Sequence, residues 1–265
     1  MDFTDVAIIG GGPAGLTAAN MVARQLHTAV VYDSGAYRNE GAAHFHMVLT
    51  WDHKNPADYR RAARENILAN YSTVEFASLP VAKIDKKSDA RFEVHDGKAD
   101  RGGASSGVLA VGSVGGAMAA HMAQNAAQLT DKVALYTNGD DVMTAEVTTA
   151  ASLLIQSKFN VETRKIKQLT GNDADNSVTV EFEDGTTKVE KFLVHNPETT
   201  AQGPFVDQLG LETTVAGDIK ADYPFWGTNV PGVYAVGDCS TPYKMTPSAI
   251  TSGCNAAVAI ISFYI

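Results

Sequence analysis

The stretch Asp5-Val-Ala-Ile-Ile-Gly-Gly-Gly-Pro-Ala-Gly-Leu-Thr-Ala-Ala-Asn20 decides the fold. A short apolar run leads into a glycine turn and then into an alanine-rich helical pattern. Gly10 permits the sharp turn, Gly12 lets the backbone approach a phosphate, and Gly15 lets the helix pack closely on the strand. Because the first amides of a helix lack partners and carry positive potential, this strand–turn–helix unit predicts a site for a dinucleotide pyrophosphate.

A second apolar run, Thr28 to Tyr32, ends in Asp33. A glycine-rich turn alone is a weak sign, because such turns are common in strand–helix connections. An acidic residue about 20 positions beyond the glycines is placed to bind a ribose 2′-hydroxyl. The alternative is an ordinary turn followed by a surface aspartate, and the combination of the turn with Asp33 favours dinucleotide binding.

The composition bounds the partners and the compartment. The chain has 265 residues, 45% hydrophobic and 19% charged, which is ordinary for a globular protein. A net charge of −9 argues against a nucleic-acid or anionic-membrane partner, and no apolar run reaches the ~20 residues of a membrane span. The two cysteines form no disulfide framework, and an acidic start without a signal sequence completes the prediction of a cytoplasmic protein.

Three histidines, His44, His46 and His53, follow the turn-rich loop Ser34–Asn39. Three neighbouring histidines are compatible with a metal site, but we find no cysteine or paired carboxylate at ligand spacing among them. The sequence therefore predicts no metal and a polar loop over the cofactor, since loops at the carboxyl ends of parallel strands face the cofactor crevice.

The remaining helices and strands are predicted from the periodicity of apolar residues and from the glycine, proline and asparagine residues that begin or end them. Asn55-Pro56 is typical of a helix start, and the arginines of that helix are interpreted as a solvated face. The pattern predicts helices over 55–70, 145–158 and 247–265, strands over 74–84, 91–94, 161–169, 178–183, 187–194 and 229–238, and a hairpin turn at 95–98.

A second strand–glycine–helix unit begins at Gly107 and ends with the strand Lys132–Tyr136. Gly112 and Ala117 match the first and third glycine positions, but Val114 stands at the middle one, where a β-branched side chain would crowd a pyrophosphate. No Arg or Lys follows the strand to hold a 2′-phosphate. The unit is either an inert remnant or a working NADPH site, and these features favour the remnant.

The glycine turn, Asp33 and Val233-Tyr-Ala-Val-Gly-Asp238 together resemble the flavoproteins with two FAD motifs, within them the low-molecular-weight thioredoxin reductase family. The resemblance implies an α/β fold with two Rossmann-like domains, the second inserted in the first. We expect a discontinuous FAD-binding domain of residues 1–100 and 222–265. Residues 101–221 would form an inserted NAD(P)H-binding-like domain that is degenerate.

The resemblance also implies the cofactor and its contacts. FAD is expected, NADPH is not, and the C-terminal helix would lay its N-terminal amides against the flavin, where they favour the reduced, anionic form. Asp238 would accept from the ribityl hydroxyls, and Met245 stands where the family usually has Gln. The expected FAD contacts are Gly10, Gly12, Gly15, Asp33, Arg38, Asn39, Asp238 and Met245.

Within this family the chain is most similar to fungal dithiol oxidases of the gliotoxin and holomycin type. The segments Tyr32–Asn39 and Thr137–Gly139 carry part of that similarity. It implies an FAD-dependent oxidation of a small-molecule dithiol, with O₂ as electron acceptor, by a homodimer of secondary metabolism. Two alternatives stay open: an NADPH-dependent thioredoxin reductase, and a flavin-binding pseudo-enzyme.

One departure bears on the chemistry. The family uses a Cys-x-x-Cys pair beside the flavin, whereas Cys239 and Cys254 are the only cysteines here. Compared with the family, several dozen residues with that pair and a return strand are missing between Asp100 and Arg101. Because losing the strand would leave an unpaired sheet edge, we expect the complete protein to contain this segment. No catalytic residue can be named without it.

Overall fold

The computed structural model describes residues 3–88, 91–96, 116–152, 158–172, 174–175, 177–194, 199–201 and 203–264. The chain divides into two compact units. The first unit combines Met1–Gly103 with Thr199–Ile265, and the second is Ala104–Glu198. The second unit is therefore an insertion in the first.

The first unit is built on a three-stranded parallel sheet. Its strands are β1 (Val6–Ile9), β2 (Ala29–Tyr32) and β3 (Val74–Ala77), in the order β1-β2-β3. Helix α1 (Pro13–Arg24) connects the first two strands, and α2 (Pro56–Asn70) precedes the third. This order places the turns after β1 and β2 side by side at the carboxyl edge of the sheet.

One face of this sheet is the core of the unit. Val6, Ile8 and Val31 are buried there against the apolar stripe of α1, and Ala257 joins them from the last helix. The strict period-2 alternation of β1 explains the pattern, because its other residues point to the opposite face, where Ile9 is 42% exposed.

Helix α2 begins as the sequence predicts. The side chain of Asn55 accepts a hydrogen bond from the amide of Ala57, and Pro56 takes the first helical position. The predicted strand 74–84 is wrong as a single element. It splits into β3 and β4 (Val81–Ser88) around Pro80, whose nitrogen cannot donate to a ladder.

Strand β4 pairs antiparallel with β5 (Arg91–Asp96). Within the described residues the pair is a two-stranded sheet by itself. The hairpin turn predicted at 95–98 reaches into residues outside the described ranges. The same is true of the expected break between Asp100 and Arg101.

The insertion was predicted to end at residue 221, with the first unit resuming at residue 222, and the observed boundary differs. The structure assigns the chain from Thr199 onward to the first unit. Helix α5 (Phe205–Leu209) explains the difference: the side chain of Gln208 accepts from the amide of Ile84 and donates to the carbonyl of Ala82, both on β4. The segment around α5 has no strong periodicity of apolar residues, so the sequence did not indicate that this helix packs against β4.

The predicted strand over 229–238 is also wrong. Only an isolated bridge joins Tyr234 to Gly227, and the segment ends in a 3₁₀ turn, Gly237–Cys239. Asn229, Pro231 and Gly232 interrupt the ladder before it can extend, since Pro lacks a donor and Gly232 has a positive φ. The final helix, α6 (Thr246–Tyr264), is formed as predicted.

The second unit contains helices α3 (Gly116–Ala126) and α4 (Asp141–Ala151) and a parallel pair, β6 (Val133–Tyr136) and β7 (Phe159–Glu162). An antiparallel sheet follows, with β8 (Ile166–Asn172), β9 (Ser177–Phe182) and β10 (Thr187–Glu190) in the order β10-β9-β8. The predicted strand 161–169 is thus two strands. Helix α4 covers the first part of the helix predicted over 145–158, and residues 153–157 lie outside the described ranges. Gly112 and Val114 lie outside the described residues.

Helix α6 approaches the first turn of α1 at backbone distance. A Cβ at Gly253 would lie 2.2 Å from the carbonyl oxygen of Ala14, and one at Gly237 would lie 3.1 Å from the Ala14 Cβ. Two glycines therefore let the late segments of the chain reach the N-terminal turn. None of the helices in the described ranges has the length and hydropathy needed to span a membrane.

Gly253→Ala tests this packing. Alanine gains about 1 kcal/mol of helix propensity, but the Cβ must displace backbone, which costs about 1–3 kcal/mol or more. We expect a net loss of stability in chemical denaturation. Gly41→Ala is the control, since nothing lies within 4 Å of its Cβ. Equal stabilities for the two variants would contradict the close approach.

Candidate cofactor-binding site

The turn between β1 and α1 presents unpartnered donors to open space. Gly10 has φ +104°, and its amide donates to the carbonyl of Tyr32 at 2.8 Å, which joins the turn to β2. Gly12 is the N-cap of α1 and makes no side-chain capping hydrogen bond. A Cβ at Gly12 would meet nothing within 4 Å. The first amides of α1 therefore face a space in which an anion can approach the backbone.

Gly15 has a different duty from Gly12. A Cβ there would lie 2.0 Å from the carbonyl oxygen of Gly10 and 3.2 Å from the Cγ2 atom of Ile8. Gly15 is thus required by the packing of α1 on β1, as the motif predicts. The same motif thus contains Gly12, which leaves room for a ligand, and Gly15, which allows the helix to pack on the strand.

Asp33 stands at the end of β2, directly beside the glycine turn. A Cβ at Gly11 would come within 2.2 Å of its Oδ2 atom. Its Oδ1 accepts from the amide of Gly35 at 3.1 Å, and its Oδ2 accepts from the hydroxyl of Tyr37 at 2.5 Å. These bonds orient the carboxylate, and an ionised carboxylate has further acceptor sites for a ribose hydroxyl.

Tyr37 is a site residue that the sequence reasoning missed. Burial, together with the hydrogen bond to the Asp33 carboxylate, raises the pKa of Tyr37 to about 12. The phenol therefore stays protonated and remains a donor to Asp33 throughout the neutral range. In this segment the sequence analysis named only Arg38 and Asn39 as expected FAD contacts.

Arg60 supports this arrangement from α2. Its guanidinium lies 3.8 Å from the centroid of the Tyr37 ring, and its Nη1 donates to the Oδ1 of Asn39 at 2.8 Å. The prediction of a solvated face is wrong for Arg60, while it holds for Arg61, which is exposed and pairs with Asp58. The period of α2 alone could not reveal which arginine bends over the loop.

Asp238 is brought to the same edge by the 3₁₀ turn. The Nη1 atom of Arg38 lies 3.5 Å from its Oδ2, so two of the predicted residues meet across distant parts of the sequence. Gly237, with φ +73°, begins this turn, and its amide donates to the hydroxyl of Ser252 at 2.9 Å. The predicted contacts Arg38 and Asp238 are thus neighbours.

Met245 precedes the first residue of α6 and is 37% exposed. Its carbonyl accepts from the amide of Ala249 at 3.0 Å, which opens the helical bond series. This hydrogen bond uses only the backbone of Met245. Methionine in place of the usual Gln therefore leaves the backbone at the helix start unchanged. The first-turn amides of α6 have no intrahelical acceptors.

The histidine loop contains a carboxylate that the sequence reasoning overlooked. The Nδ1 of His46 lies 3.6 Å from the Oδ1 of Asp52, and the Nε2 of His53 lies 3.3 Å from its Oδ2. One ligand atom of each residue lies within 4.8 Å of the others, and all three side chains are exposed. The sequence reasoning looked for a cysteine or a paired carboxylate and did not weigh this single aspartate; the absence of a metal stays a prediction.

The two cysteines do not resemble an activated pair. Burial raises the pKa of the Cys239 thiol, which donates to the carbonyl of Val236 at 3.3 Å. A thiol held protonated is a poor nucleophile. Cys254 is also a free thiol, in the interior of α6.

The carboxyl end of β6 in the second unit carries one basic group that was not predicted. The stem of Lys165 lies against Gly139, where an added Cβ would be 2.5 Å from the lysine Cγ. Asn138 and Asp140 are occupied locally, since they accept from the amides of Ile166 and Met143. A lysine contributed by the loop after β7 cannot be found by searching the residues that follow β6.

The first unit fits a dinucleotide such as FAD. It offers uncapped helix amides beside open space at Gly12, a carboxylate for ribose at Asp33, and a second carboxylate at Asp238 on the same edge. Each group matches the chemistry of one part of such a cofactor: pyrophosphate, ribose and polyol. The geometry thus supports the predicted contacts.

Comparisons with known proteins agree with this fold. The model of the pyridine nucleotide-disulphide oxidoreductase family matches residues 4–115 and 108–253. The thioredoxin reductase aclD of Aspergillus oryzae is 36% identical over 303 aligned residues, covering 97% of this chain and 95% of that protein. The thioredoxin reductase tcpT of Claviceps purpurea is 33% identical, with coverages of 95% and 91%.

The alignment with aclD spans 303 residues, more than the 265 of this chain. This relative therefore has residues for which the chain has no counterpart, in agreement with the expected gap. Its placement between Asp100 and Arg101 stays a prediction.

Solved structures show the same architecture. An oxidoreductase from Agrobacterium tumefaciens matches with a TM-score of 0.78 and 22% identity, covering 98% of both chains. HlmI matches with a TM-score of 0.77 and 23% identity, covering 98% of this chain and 92% of that one. These neighbours confirm the predicted α/β fold of two Rossmann-like domains, and the family implies a flavin cofactor.

The two glycines of the turn give opposite predictions. Gly12→Ala should leave the apoprotein as stable as the wild type, because its Cβ meets no protein atom. It should weaken FAD binding by about 10–100-fold, the cost of a methyl group forced against the ligand. Gly15→Ala should instead destabilise the apoprotein. Titration of apoprotein with FAD and thermal unfolding separate the two, and a Gly12→Ala variant with wild-type affinity would refute the site.

Tyr37→Phe should weaken FAD binding about threefold to tenfold, because Asp33 loses one orienting hydrogen bond. The raised pKa of Tyr37 means that its contribution to stability is complete below about pH 10 and declines as the pH rises through about 12. The stability difference between wild type and variant should therefore be constant from about pH 6 to 9. Arg61→Gln, an exposed change on α2, is the control. A difference that varies across this range would contradict the assigned donor.

Proposed function

Because the chain belongs to the pyridine nucleotide-disulphide oxidoreductase family, we propose that it oxidises a small-molecule dithiol to a disulfide, with FAD as cofactor and O₂ as electron acceptor. Its curated relatives are thioredoxin reductases, and the chain is an FAD-dependent oxidoreductase of that type. The dithiol substrate and the role of O₂ are the parts that we add.

The observation that carries the proposal is the convergence at one sheet edge. The uncapped turn at Gly12, Asp33 and Asp238 come from three separate parts of the sequence. The amides of α1 would hold the pyrophosphate, Asp33 a ribose, and Asp238 the ribityl chain, with Arg38 beside it. Bound there, the flavin supplies a two-electron acceptor for thiol chemistry.

The overall reaction balances without a nicotinamide. Two S–H bonds of the dithiol break and one S–S bond forms, releasing two electrons and two protons. O₂ takes up both and becomes H₂O₂. In this proposal this chain's residues bind and orient the cofactor, and no step is assigned to Cys239, whose thiol pKa is raised by desolvation.

The second candidate is an NADPH-dependent reductase of a protein disulfide. It is favoured by the relatives, which are named thioredoxin reductases, and by the presence of Lys165 beside Gly139. Against it stand the acidic groups that follow β6, Asp140 and Asp141, which oppose a 2′-phosphate. Arg164 does not offset them, because Glu162 and Asp184 pair with it.

Anaerobic titration of the holoprotein distinguishes these functions. We expect a small dithiol such as dithiothreitol to bleach the bound flavin and NADPH to leave it oxidised. Admission of air should restore the colour and produce about one H₂O₂ per dithiol consumed, the ratio that the two-electron balance requires. Rapid bleaching by NADPH alone would refute the proposal in favour of the reductase.

The Gly12→Ala variant serves as the matched control, because dithiol oxidation that persists without bound flavin would be unrelated to this site. A flavin that neither reductant bleaches would indicate the non-catalytic scaffold. The intact mass of the natural protein bears on the same point. We expect a mass several kDa above the 28.1 kDa of this sequence, because the predicted Cys-x-x-Cys segment would add several dozen residues.

We also propose that the protein acts as a cytoplasmic homodimer in secondary metabolism. The support comes from its family and from fungal relatives such as sirT of Leptosphaeria maculans, 32% identical over 95% of this chain. Size-exclusion chromatography with light scattering of the holoprotein measures the assembly directly.

A further inference from the structure

We infer that Lys244 is a positioning residue for the cofactor: its ammonium, balanced by the buried carboxylate of Asp218, fixes the 3₁₀ turn that presents Asp238. The inference rests on the proposed role of Asp238 in holding FAD. Lys244 was not among the residues that the sequence singled out. Neither the glycine motif nor the Gly-Asp motif includes it.

The 3₁₀ turn is held from outside at three successive residues. The amide of Gly237 donates to the Oγ of Ser252 at 2.9 Å, and the carbonyl of Cys239 accepts from the amide of Ile219 at 2.7 Å. Between them, the carbonyl of Asp238 accepts from the Nζ of Lys244 at 2.6 Å. The backbone that carries the Asp238 side chain is therefore fixed on both sides and at its own carbonyl.

Lys244 provides the charged member of this set. Its Nζ also donates to the Oδ1 of Asp218 at 2.5 Å. The side chain of Asp218 is 6% exposed and that of Lys244 is 20% exposed, so the pair is largely withdrawn from water. A hydrogen bond from an ammonium in such surroundings is stronger than one from a neutral donor, which sets this contact apart from the other two.

The arrangement leaves the acceptor atoms of Asp238 available. Lys244 bonds to the main-chain carbonyl of Asp238, and its charge is offset by Asp218. The carboxylate of Asp238 points to Arg38 instead, at 3.5 Å. Lys244 thus fixes the backbone of Asp238 without occupying the carboxylate that would receive the ribityl hydroxyls.

Lys244 also couples the turn to the start of α6. It lies two residues before Thr246, where the helix begins, and reaches back to the turn. Because the first amides of α6 are expected to face the flavin, one side chain sets the distance between two cofactor-binding elements. A neutral side chain of similar length would fill the space without making either bond.

The test compares Lys244→Met, Lys244→Arg and Asp218→Asn by FAD titration of apoprotein and by thermal unfolding. We expect Lys244→Met to weaken FAD binding by about tenfold or more, and Lys244→Arg to restore most of it. Asp218→Asn keeps the lysine and an acceptor, so it should change FAD affinity by less than about threefold even where it lowers the Tm.

A purely structural role predicts a different result. The loss of affinity would then follow the loss of Tm, and Asp218→Asn would weaken FAD as much as Lys244→Met does. That result overturns the inference, as does wild-type affinity in Lys244→Met.

Lys244→Met leaves Asp218 buried without a partner, which can prevent folding. The double variant Asp218→Asn/Lys244→Met removes this charge, and it too should bind FAD at least about tenfold more weakly than Asp218→Asn alone. Equal affinities of the double variant and Asp218→Asn would overturn the inference. A wild-type protein that takes up no FAD would instead refute the proposed function.

Discussion

The structure of the first unit depends on a contact between backbones: α6 lies directly on the first turn of α1. At Gly253 even a methyl group would collide with the carbonyl of Ala14, so the helices meet at a distance that only glycine permits. This contact brings the end of the chain to its beginning. Without it, the Gly-Asp turn and the glycine turn would be unrelated features, because some 200 residues separate them.

The closeness of this packing explains why so many small residues occur in α1 and α6. Ala19, Ala23 and Ala257 are fully buried, and their small size lets the helices and the sheet approach each other closely. The same packing limits what the site can tolerate. Gly15 and Gly253 are required by the packing of the helices, whereas Gly12 leaves space for a ligand. The residue type alone therefore does not reveal which role a glycine has.

The sequence predicted features that are local in the chain. Asn55 as a cap, α6 and the glycine turn all follow from short-range rules, and all are present. Features set by distant contacts were missed. The docking of Arg60 on Tyr37 depends on how a loop folds over a helix. The segment before Gly237 is rich in apolar residues and reads as a strand, yet Pro231 and Gly232 prevent the ladder.

The two aspartates of the site show how a fold can fix a carboxylate and still leave it acceptor sites. Asp33 is oriented by a phenol and an amide, which are neutral donors. Asp238 is fixed through its main chain by Lys244, and Arg38 approaches one of its two oxygens. Both carboxylates thereby keep acceptor sites open for hydroxyl groups, which ion pairing at every oxygen would remove. Under the proposed function, a site arranged in this way would select a polyol and a ribose by hydrogen bonding, whichever electron acceptor the flavin serves. The geometry of this site therefore bears on which cofactor binds and leaves the choice of electron acceptor open to either proposed function.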